Sequence, residues 1–256
     1  MIKPTRAKSW DESHNPKGWL LSEKLDGIRA IWTGSELITR NQNTIHAPAW
    51  FINQLPQGTA LDGELWIDRG QFQLTSSIVR KLEPVDSEWE QIKFMVFDCP
   101  SITGPHSQRM IEVEKHCTAR GPIQAVKHTA CRSRRHLETF TQKIIDQRGE
   151  GTMLRQPNAL YTQSRTGDLR KHKMFIDSDA VVTGYAPGKG KHEGVVGALL
   201  VHSATDNKIK FRVGTGLSDA QRREPPAIGS TIIVEHDGYT NAGKPRFPTF
   251  LGQRAD

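Results

Sequence analysis

The part of the chain after Asp177 restricts the possible folds most strongly. It consists of short apolar runs separated by glycine-rich turns, and four runs have the length and composition of strands: 180–185, 195–201, 209–213 and 231–235. Several short strands with turn signals between them are typical of a small β-barrel. Apart from a possible helical turn near 218–223, no helix is predicted here, so this region must build its core from a curled sheet.

The region before Asp177 mixes strands and helices. Alternating and helical spacings of apolar residues predict strands at 60–67, 71–79 and 91–97 and helices at 108–119 and 135–147. The first two strands are expected to pair around a turn at 68–70. We therefore predict an α+β protein with two domains, 1–177 and 178–256, and an OB-fold is one candidate for the second.

Charge and cysteine content narrow the class of protein. The 35 Lys and Arg residues outnumber the 28 Asp and Glu residues, which suits a polyanionic partner such as nucleic acid, although a merely basic protein has the same composition. No apolar stretch approaches the roughly 20 residues that span a bilayer, and no secretory leader is visible. The three cysteines lack C-x-x-C spacing. Reduced thiols in an intracellular protein are expected, or a periplasmic protein if a leader was removed.

The segment 23–29, EKLDGIR, indicates covalent chemistry at Lys24. It follows a short apolar run, so the lysine can lie at the end of a buried strand. A free lysine, with a pKa of about 10.4, is almost fully protonated at neutral pH and cannot attack. Burial and nearby cations would favour the neutral amine, and the candidate cations are Arg29, Lys171 and Lys173. A lysine in a surface turn is the simpler interpretation of this segment alone.

Two downstream carboxylates are candidate metal or ribose ligands. Glu64 follows an Asp-Gly pair that predicts a turn, and Glu150 follows the end of a predicted helix. Carboxylate oxygens suit divalent ions, with Mg²⁺ as the default and Mn²⁺ as a substitute. A simple hairpin explains the segment around Glu64 equally well when it is taken in isolation.

An aromatic residue and a lysine pair complete the candidate site. Either Phe94 or Phe97 could stack on a base, an interaction worth ~1–3 kcal/mol, while the other is a core residue. Strand alternation places Lys171 and Lys173 on one face, where an anion such as a triphosphate would relieve their repulsion. A solvated basic strand is the alternative. Together these segments predict a nucleoside triphosphate site that transfers its α-phosphorus to an amine.

In order and spacing, these segments resemble the motifs of the covalent nucleotidyltransferases, and most closely those of small ATP-dependent DNA ligases of bacteria and viruses. The resemblance covers nearly the whole chain, including the ending 245–250, PRFPTF. It implies an ATP-grasp-like adenylation (nucleotidyltransferase) domain followed by an OB-fold β-barrel. It also implies a monomeric DNA ligase that uses ATP and Mg²⁺ to seal nicked double-stranded DNA, with no role for a membrane.

The resemblance implies a three-step reaction and a role for each matching residue. Lys24 would attack ATP to form a lysyl-AMP, the AMP would pass to the 5′-phosphate of a nick, and the 3′-hydroxyl would then displace it. Phe97 would stack on adenine, Arg29 would contact the ribose region and Arg40 the nick 5′-phosphate. The α-phosphate would be bound by Lys171 and Lys173.

Further roles follow from the same resemblance. Glu64 and Glu150 would bind the ribose or the metal ions. The barrel segment that closes over ATP in the first step would include Arg246, Arg254 and Asp256.

The predicted barrel lacks room for a DNA clasp. Viral relatives carry a long insertion there, but the turn 202–207 holds six residues, and a chain spans at most ~3.6 Å per residue. We therefore expect salt-sensitive binding through distributed basic residues on the DNA backbone. The candidates are Arg132, Arg134, Arg135, Arg165, Lys189 and Lys191.

Several positions depart from the family pattern, and two other classes share parts of it. Gln42 stands where the family often has glycine, Arg170 replaces a usual leucine, and Thr166 follows Arg165 where serine is common. A GTP-dependent mRNA-capping guanylyltransferase has the same lysine chemistry and barrel. A non-catalytic DNA-binding module with an OB-fold is the alternative from another class, and RNA ligases usually lack this barrel.

Overall fold

The computed structural model describes residues 2–173, 176–240 and 242–254. The chain divides into two compact units, Met1–Lys173 and Met174–Asp256. The strands are β1 (Arg6–Ser9), β2 (Leu20–Glu23), β3 (Ile28–Trp32), β4 (Leu37–Thr39), β5 (Leu61–Trp66), β6 (Lys93–Asp98), β7 (Ile123–Ala125), β8 (Thr129–Ala130), β9 (Thr152–Arg155), β10 (Arg165–His172), β11 (Ile176–Pro187), β12 (Val196–Ser203), β13 (Lys210–Val213), β14 (Thr231–His236) and β15 (Thr249–Gln253). The helices are α1 (Ala49–Ile52), α2 (Phe72–Val79), α3 (Asp86–Trp89), α4 (His106–His116), α5 (Arg134–Asp146) and α6 (Asp219–Arg223), with a 3₁₀ turn at Gly190–His192. The predicted boundary after residue 177 falls inside β11.

The first unit contains two five-stranded sheets. One has the order β4-β3-β5-β6-β7, and its core includes Trp32, Phe51, Trp89 and Phe94, all fully buried. The other has the order β1-β10-β9-β2-β8, and its smaller core includes Leu21 and Leu154. Leu137 of α5 belongs to this second core, as its helical spacing predicts.

The second unit is a single five-stranded sheet of order β13-β12-β11-β14-β15. A bridge between Thr215 and Thr249 links the segment after β13 to β15, which brings the two edges of the sheet together. Alternate residues such as Val182, Leu199 and Val234 fill the interior. The predicted α+β class with a terminal OB-like unit is confirmed, and the helical turn near 218–223 is present as α6.

The prediction of a strand at 71–79 is wrong, because Phe72–Val79 forms helix α2. Its β-branched residues favour a strand, but Thr75, Ile78 and Val79 are buried at helical spacing. The Thr75 hydroxyl donates to the Gln71 carbonyl at 3.0 Å, which satisfies it inside the helix. Tertiary packing therefore outweighs local propensity here.

The predicted turn at Asp62-Gly63 is also wrong, since both residues lie inside β5. A Cβ atom on Gly63 would lie 2.6 Å from the Met95 carbonyl oxygen, so the close approach of β6 requires glycine. Gly27 is needed for a similar reason, because a Cβ there would lie 2.3 Å from the Leu65 carbonyl oxygen.

The two predicted helices and the predicted reduced cysteines agree with the structure. The helices predicted at 108–119 and 135–147 are α4 and α5, each shifted by a residue or more. The three cysteines are free thiols. Among the described residues, no helix has both the length and the apolar character needed to cross a bilayer.

Candidate active site

A cavity of about 320 Å³ lies in the first unit and draws its walls from both sheets. Most of the predicted nucleotide-site residues line it. It is lined by Pro4, Thr5, Arg6, Ala7, Ser22, Glu23, Lys24, Leu25, Arg29, Arg40, Glu64, Phe97, Val126, His128, Met153, Arg155, Arg165, Leu169 and Lys171.

Lys24 lies directly after β2, where its backbone N–H donates to the Gly151 carbonyl at 2.8 Å. Its Nζ donates to Oε2 of Glu150, and Lys173 Nζ lies 2.5 Å from the other carboxylate oxygen. The Glu150 and Lys173 side chains are only 12% and 11% exposed. Glu150 therefore contacts both lysines, and one of them, Lys24, lines the cavity.

The charge on Glu150 is stabilised by these lysines. Burial opposes ionisation, but Lys24 and then Lys173 outweigh it and hold the pKa of the Glu150 carboxyl below its ordinary value. The sequence analysis expected cations around Lys24. The structure adds a carboxylate in direct contact with it, which the sequence pattern does not reveal.

Arg29 is fixed by a buried carboxylate on the neighbouring strand. Its Nε and Nη2 donate to the two oxygens of Asp62 at 2.6 Å each, a bidentate pair that the register of β3 and β5 allows. The Tyr161 hydroxyl donates to Asp62 at 2.8 Å. Burial opposes the charge on Arg29, but Asp62 outweighs it and raises the pKa of the guanidinium.

Phe97 and Phe94 have the two different roles that the sequence left open. Phe94 is fully buried in the core, whereas Phe97 lines the cavity. The Arg29 guanidinium carbon lies 4.4 Å from the centre of the Phe97 ring, a cation–π contact. Phe97 is thus an aromatic residue of the cavity wall.

A buried ionic cluster supports Phe97 from behind. Asp98 is fully buried and accepts from Arg109 Nε at 2.6 Å, and Arg155 lies 3.2 Å from its other oxygen. His106 donates from Nε2 to the Phe97 carbonyl at 3.0 Å. Burial lowers the pKa of His106 to about 3, so this imidazole is neutral at physiological pH.

Glu64 is a half-buried carboxylate that lines the cavity from β5. Burial raises its pKa to about 7, although Arg29 and Lys24 oppose this shift. The described residues contain no group of three His, Cys, Asp or Glu side chains that could hold a metal by themselves. Glu64 and Glu150 are carboxylates of the kind that can supply oxygen ligands to a divalent cation.

The remaining cations lie on the more exposed side of the cavity. Arg40 and Arg165 are exposed cavity-lining residues, and Lys171 also lines the cavity from β10. Arg165 Nη1 donates to the Ala7 carbonyl at 2.7 Å. Gln42, two residues after Arg40, adopts a φ of 68°, a left-handed conformation that glycine adopts more readily than other residues.

The predicted DNA-backbone residues differ in their availability. Arg132, Arg135, Lys189 and Lys191 are exposed, as DNA contacts require. Arg134 instead pairs with Glu12 and donates to the His14 carbonyl at 3.0 Å.

Two of the residues predicted to close over ATP, Arg246 and Arg254, lie in the second unit. The third, Asp256, lies outside the described residues. Arg254 pairs with Asp179 at 3.1 Å. The Arg246 guanidinium lies 5.9 Å from the centre of the exposed Phe247 ring.

Sequence reasoning missed several residues of the site. It assigned no role to Asp62 or Asp98, and it missed the bidentate pair between Glu23 and Arg69, with both contacts at 2.7 Å. It also missed the N-terminal strand β1 as a cavity wall. Only the parallel pairing of β1 with β10, more than 150 residues away, brings that strand to the site.

Family models match most of the chain. The ATP dependent DNA ligase domain matches residues 4–173, and the DNA ligase OB-like domain matches residues 187–254. These two matches fall in the first and second units respectively.

Individual relatives agree with the family models. The DNA ligase of Haemophilus influenzae is 34% identical over 240 residues, covering 93% of this chain and 87% of that protein. A solved structure from a study of DNA binding with a minimal scaffold by Lig E DNA ligases is 39% identical, with a TM-score of 0.89 over 99% of this chain and 100% of that one. Chlorella virus DNA ligase-adenylate shares the fold, with a TM-score of 0.60 at 23% identity over 99% of this chain and 100% of that one.

Proposed function

The chain belongs to the ATP-dependent DNA ligase family, and from this we propose that it seals nicks with a 5′-phosphate and a 3′-hydroxyl in double-stranded DNA. The observation that carries the proposal is the contact of Lys24 with Glu150 beside a cavity that both Lys24 and Phe97 line. This arrangement supports a site in which an amine, an aromatic surface and phosphate-binding cations act together.

In the first step, Lys24 Nζ attacks the α-phosphorus of ATP. The nitrogen–phosphorus bond forms as the bond to pyrophosphate breaks, giving a lysyl-AMP. The amine must lose a proton, and Glu150 is the acceptor in direct contact with it. When the α-phosphate enters, it can replace Glu150 as the partner of Lys173, whose ammonium then neutralises charge developing on the phosphate.

The nucleotide is positioned by groups that are already fixed. Phe97 stacks on adenine, and Arg29 contacts the ribose region from a geometry that Asp62 sets. Because Nε and Nη2 of Arg29 both donate to Asp62, the guanidinium needs little reorganisation on binding. Lys171 joins Lys173 at the α-phosphate.

We further propose that Mg²⁺ takes part, with Glu64 and Glu150 as the protein carboxylates nearest the phosphates. The ion would screen the phosphate oxygens, and Mn²⁺ could replace it. A chelator should stop adenylation, and activity should return on adding Mg²⁺.

The later steps use the exposed side of the cavity. The AMP passes from Lys24 to the 5′-phosphate of the nick, held by Arg40, and the 3′-hydroxyl then displaces AMP to form the phosphodiester bond. Arg246 and Arg254 of the second unit act in the adenylation step. The DNA backbone is held by Arg132, Arg135, Arg165, Lys189 and Lys191, and the protein acts as a monomer.

The short connection between β12 and β13 supports distributed DNA contacts. β12 ends at Ser203 and β13 begins at Lys210, so the hairpin connection is short. Such binding relies on several phosphate contacts and weakens steeply with salt.

A sealing assay on a labelled nicked duplex tests the proposed function. ATP should support sealing, NAD⁺ should not, and Lys24→Ala should abolish sealing while DNA binding persists. Labelling of Lys24 by GTP but not ATP would instead favour a capping guanylyltransferase, and unchanged sealing by Lys24→Ala would refute the mechanism.

A further inference from the structure

Arg6 is the first residue of β1, and neither the nucleotide chemistry nor the motifs that identify the family account for it. Its side chain is exposed, and it lines the same cavity as Arg40 and Arg165. The backbone N–H of Arg6 donates to the Ser164 carbonyl at 2.9 Å, which fixes its position beside β10. Arg6 is therefore held at the site by main-chain contacts.

The strand register places Arg6 directly beside Arg165. The two residues are Cα partners in the parallel pair of β1 and β10, so their side chains leave the sheet on the same face. Arg165 Nη1 also donates to the Ala7 carbonyl at 2.7 Å, which ties it to β1. Two adjacent like charges on one face destabilise a sheet unless an anion lies near them.

Two other arginines of this cavity have carboxylate partners, since Arg29 is paired with Asp62 and Arg155 with Asp98. In the part of the chain that the structure describes, none of Arg6, Arg40 and Arg165 forms an ion pair with a carboxylate. Three exposed guanidinium groups thus line one cavity without a carboxylate within ion-pair distance of any of them.

We infer that Arg6 binds a backbone phosphate of the nicked DNA strand, next to the phosphate that Arg40 binds. This inference rests on the proposed function and adds a DNA contact to it. Guanidinium groups recognise phosphate through paired N–H donors. A phosphate could also come from ATP, but the residues assigned to nucleotide activation are half-buried, whereas all three arginines are exposed. A duplex is too wide to enter a cavity of about 320 Å³ and can reach only its rim.

Arg6→Leu tests the assignment, with Lys8→Leu as its matched control. Lys8 is an exposed cation on the same strand, but a register shift between Ala7 and Lys8 separates it from the Arg6 alignment, and it does not line the cavity. The measurements are the affinity for a nicked duplex over a salt series, and lysyl-AMP formation with ATP alone. Thermal unfolding of each variant checks that the strand still forms.

The expected result is about tenfold weaker nick binding by Arg6→Leu, as for the loss of one charge-assisted contact, with the slope of log affinity against log salt reduced by about 1. Lys8→Leu should change both quantities much less. Equal losses in the two variants would show a general charge effect and overturn the assignment. Unchanged nick binding with impaired lysyl-AMP formation would assign Arg6 to ATP and also overturn it. Failure of the proposed function is distinct, because the unmodified protein would then neither form lysyl-AMP nor seal.

Discussion

Glu150 accepts a hydrogen bond from Lys24 although 126 residues separate them in sequence. The β2–β9 pairing produces this contact, because its register aligns Glu23 with Thr152 and so brings the two flanking segments together. The sheet therefore positions Lys24, and the contribution of Glu150 can be tested by a substitution that leaves Lys24 unchanged.

Glu150→Gln should reduce lysyl-AMP formation by about 100-fold or more, the order expected for loss of a group that accepts or balances a proton. The change keeps the shape of the side chain but removes its charge, leaving Lys24 and Lys173 without their shared anion. Single-turnover adenylation measures the effect. Glu12→Gln is the control, because Glu12 is 63% exposed and pairs with Arg134 away from the cavity. Equal rates in the two variants would exclude a role for Glu150.

Asp62→Asn should destabilise the protein by about 3 kcal/mol, because it leaves a largely buried guanidinium without its anion. Nucleotide affinity should also fall, since Arg29 loses the contact that orients it against Phe97. Chemical denaturation and ATP titration measure the two effects. Glu88→Gln is the control. It breaks the more exposed ion pair between Lys81 and Glu88 and should lower the free energy of unfolding by less than about 1 kcal/mol. Similar losses in both variants would contradict this account.

The buried His106 predicts acid sensitivity. Its pKa falls from 6.5 in the unfolded chain to about 3 in the folded protein, so the unfolded state binds the proton more readily. The stability that this difference contributes is complete above pH 6.5 and is lost as the pH falls towards 3, by up to about 1.4 kcal/mol per pH unit.

His106→Gln should flatten this part of the curve of unfolding free energy against pH, because glutamine does not titrate. Denaturant unfolding between pH 4 and pH 7 measures the slope. His46 lies in an exposed loop outside the cavity, and His46→Gln is the matched control for replacing an imidazole by an amide. An identical slope in the His106 variant and the unmodified protein would contradict the prediction.

The exposed lysines of the second unit should contribute to the salt dependence of DNA binding. Changing Lys189 and Lys191 together to Gln should lower the slope of log affinity against log salt by about 2, since each phosphate contact contributes about one unit. Lysyl-AMP formation reports separately on the nucleotide site. A slope equal to that of the unmodified protein would remove these two lysines from the DNA interface.

The sequence predicts the elements with clear periodicity and the residues with distinctive chemistry. The apolar spacing of α5 and the alternation of β11 and β12 identify these elements correctly. Lys24, Glu64 and Phe97, which the sequence analysis selected, line one cavity. The helix α2 is missed because its β-branched residues favour a strand, and only burial of Thr75 and Ile78 at helical spacing reveals it.

The missed features are long-range pairings that leave no local signal. Asp62 becomes the anchor of Arg29 only through the register of β3 and β5. The cavity wall formed by β1 depends on pairing with β10 at the other end of the unit. The residue spacing within a single strand does not predict these contacts, because only the pairing of distant strands in a sheet brings the partners together.

Mass spectrometry of the protein after incubation with ATP and Mg²⁺ tests the central claim most directly. The account predicts a mass gain of one AMP on the peptide that contains Lys24, absent from Lys24→Ala and lost when nicked DNA is added and sealed. Sealing by a protein that never carries AMP on this peptide, or carries it on another residue, would contradict the account.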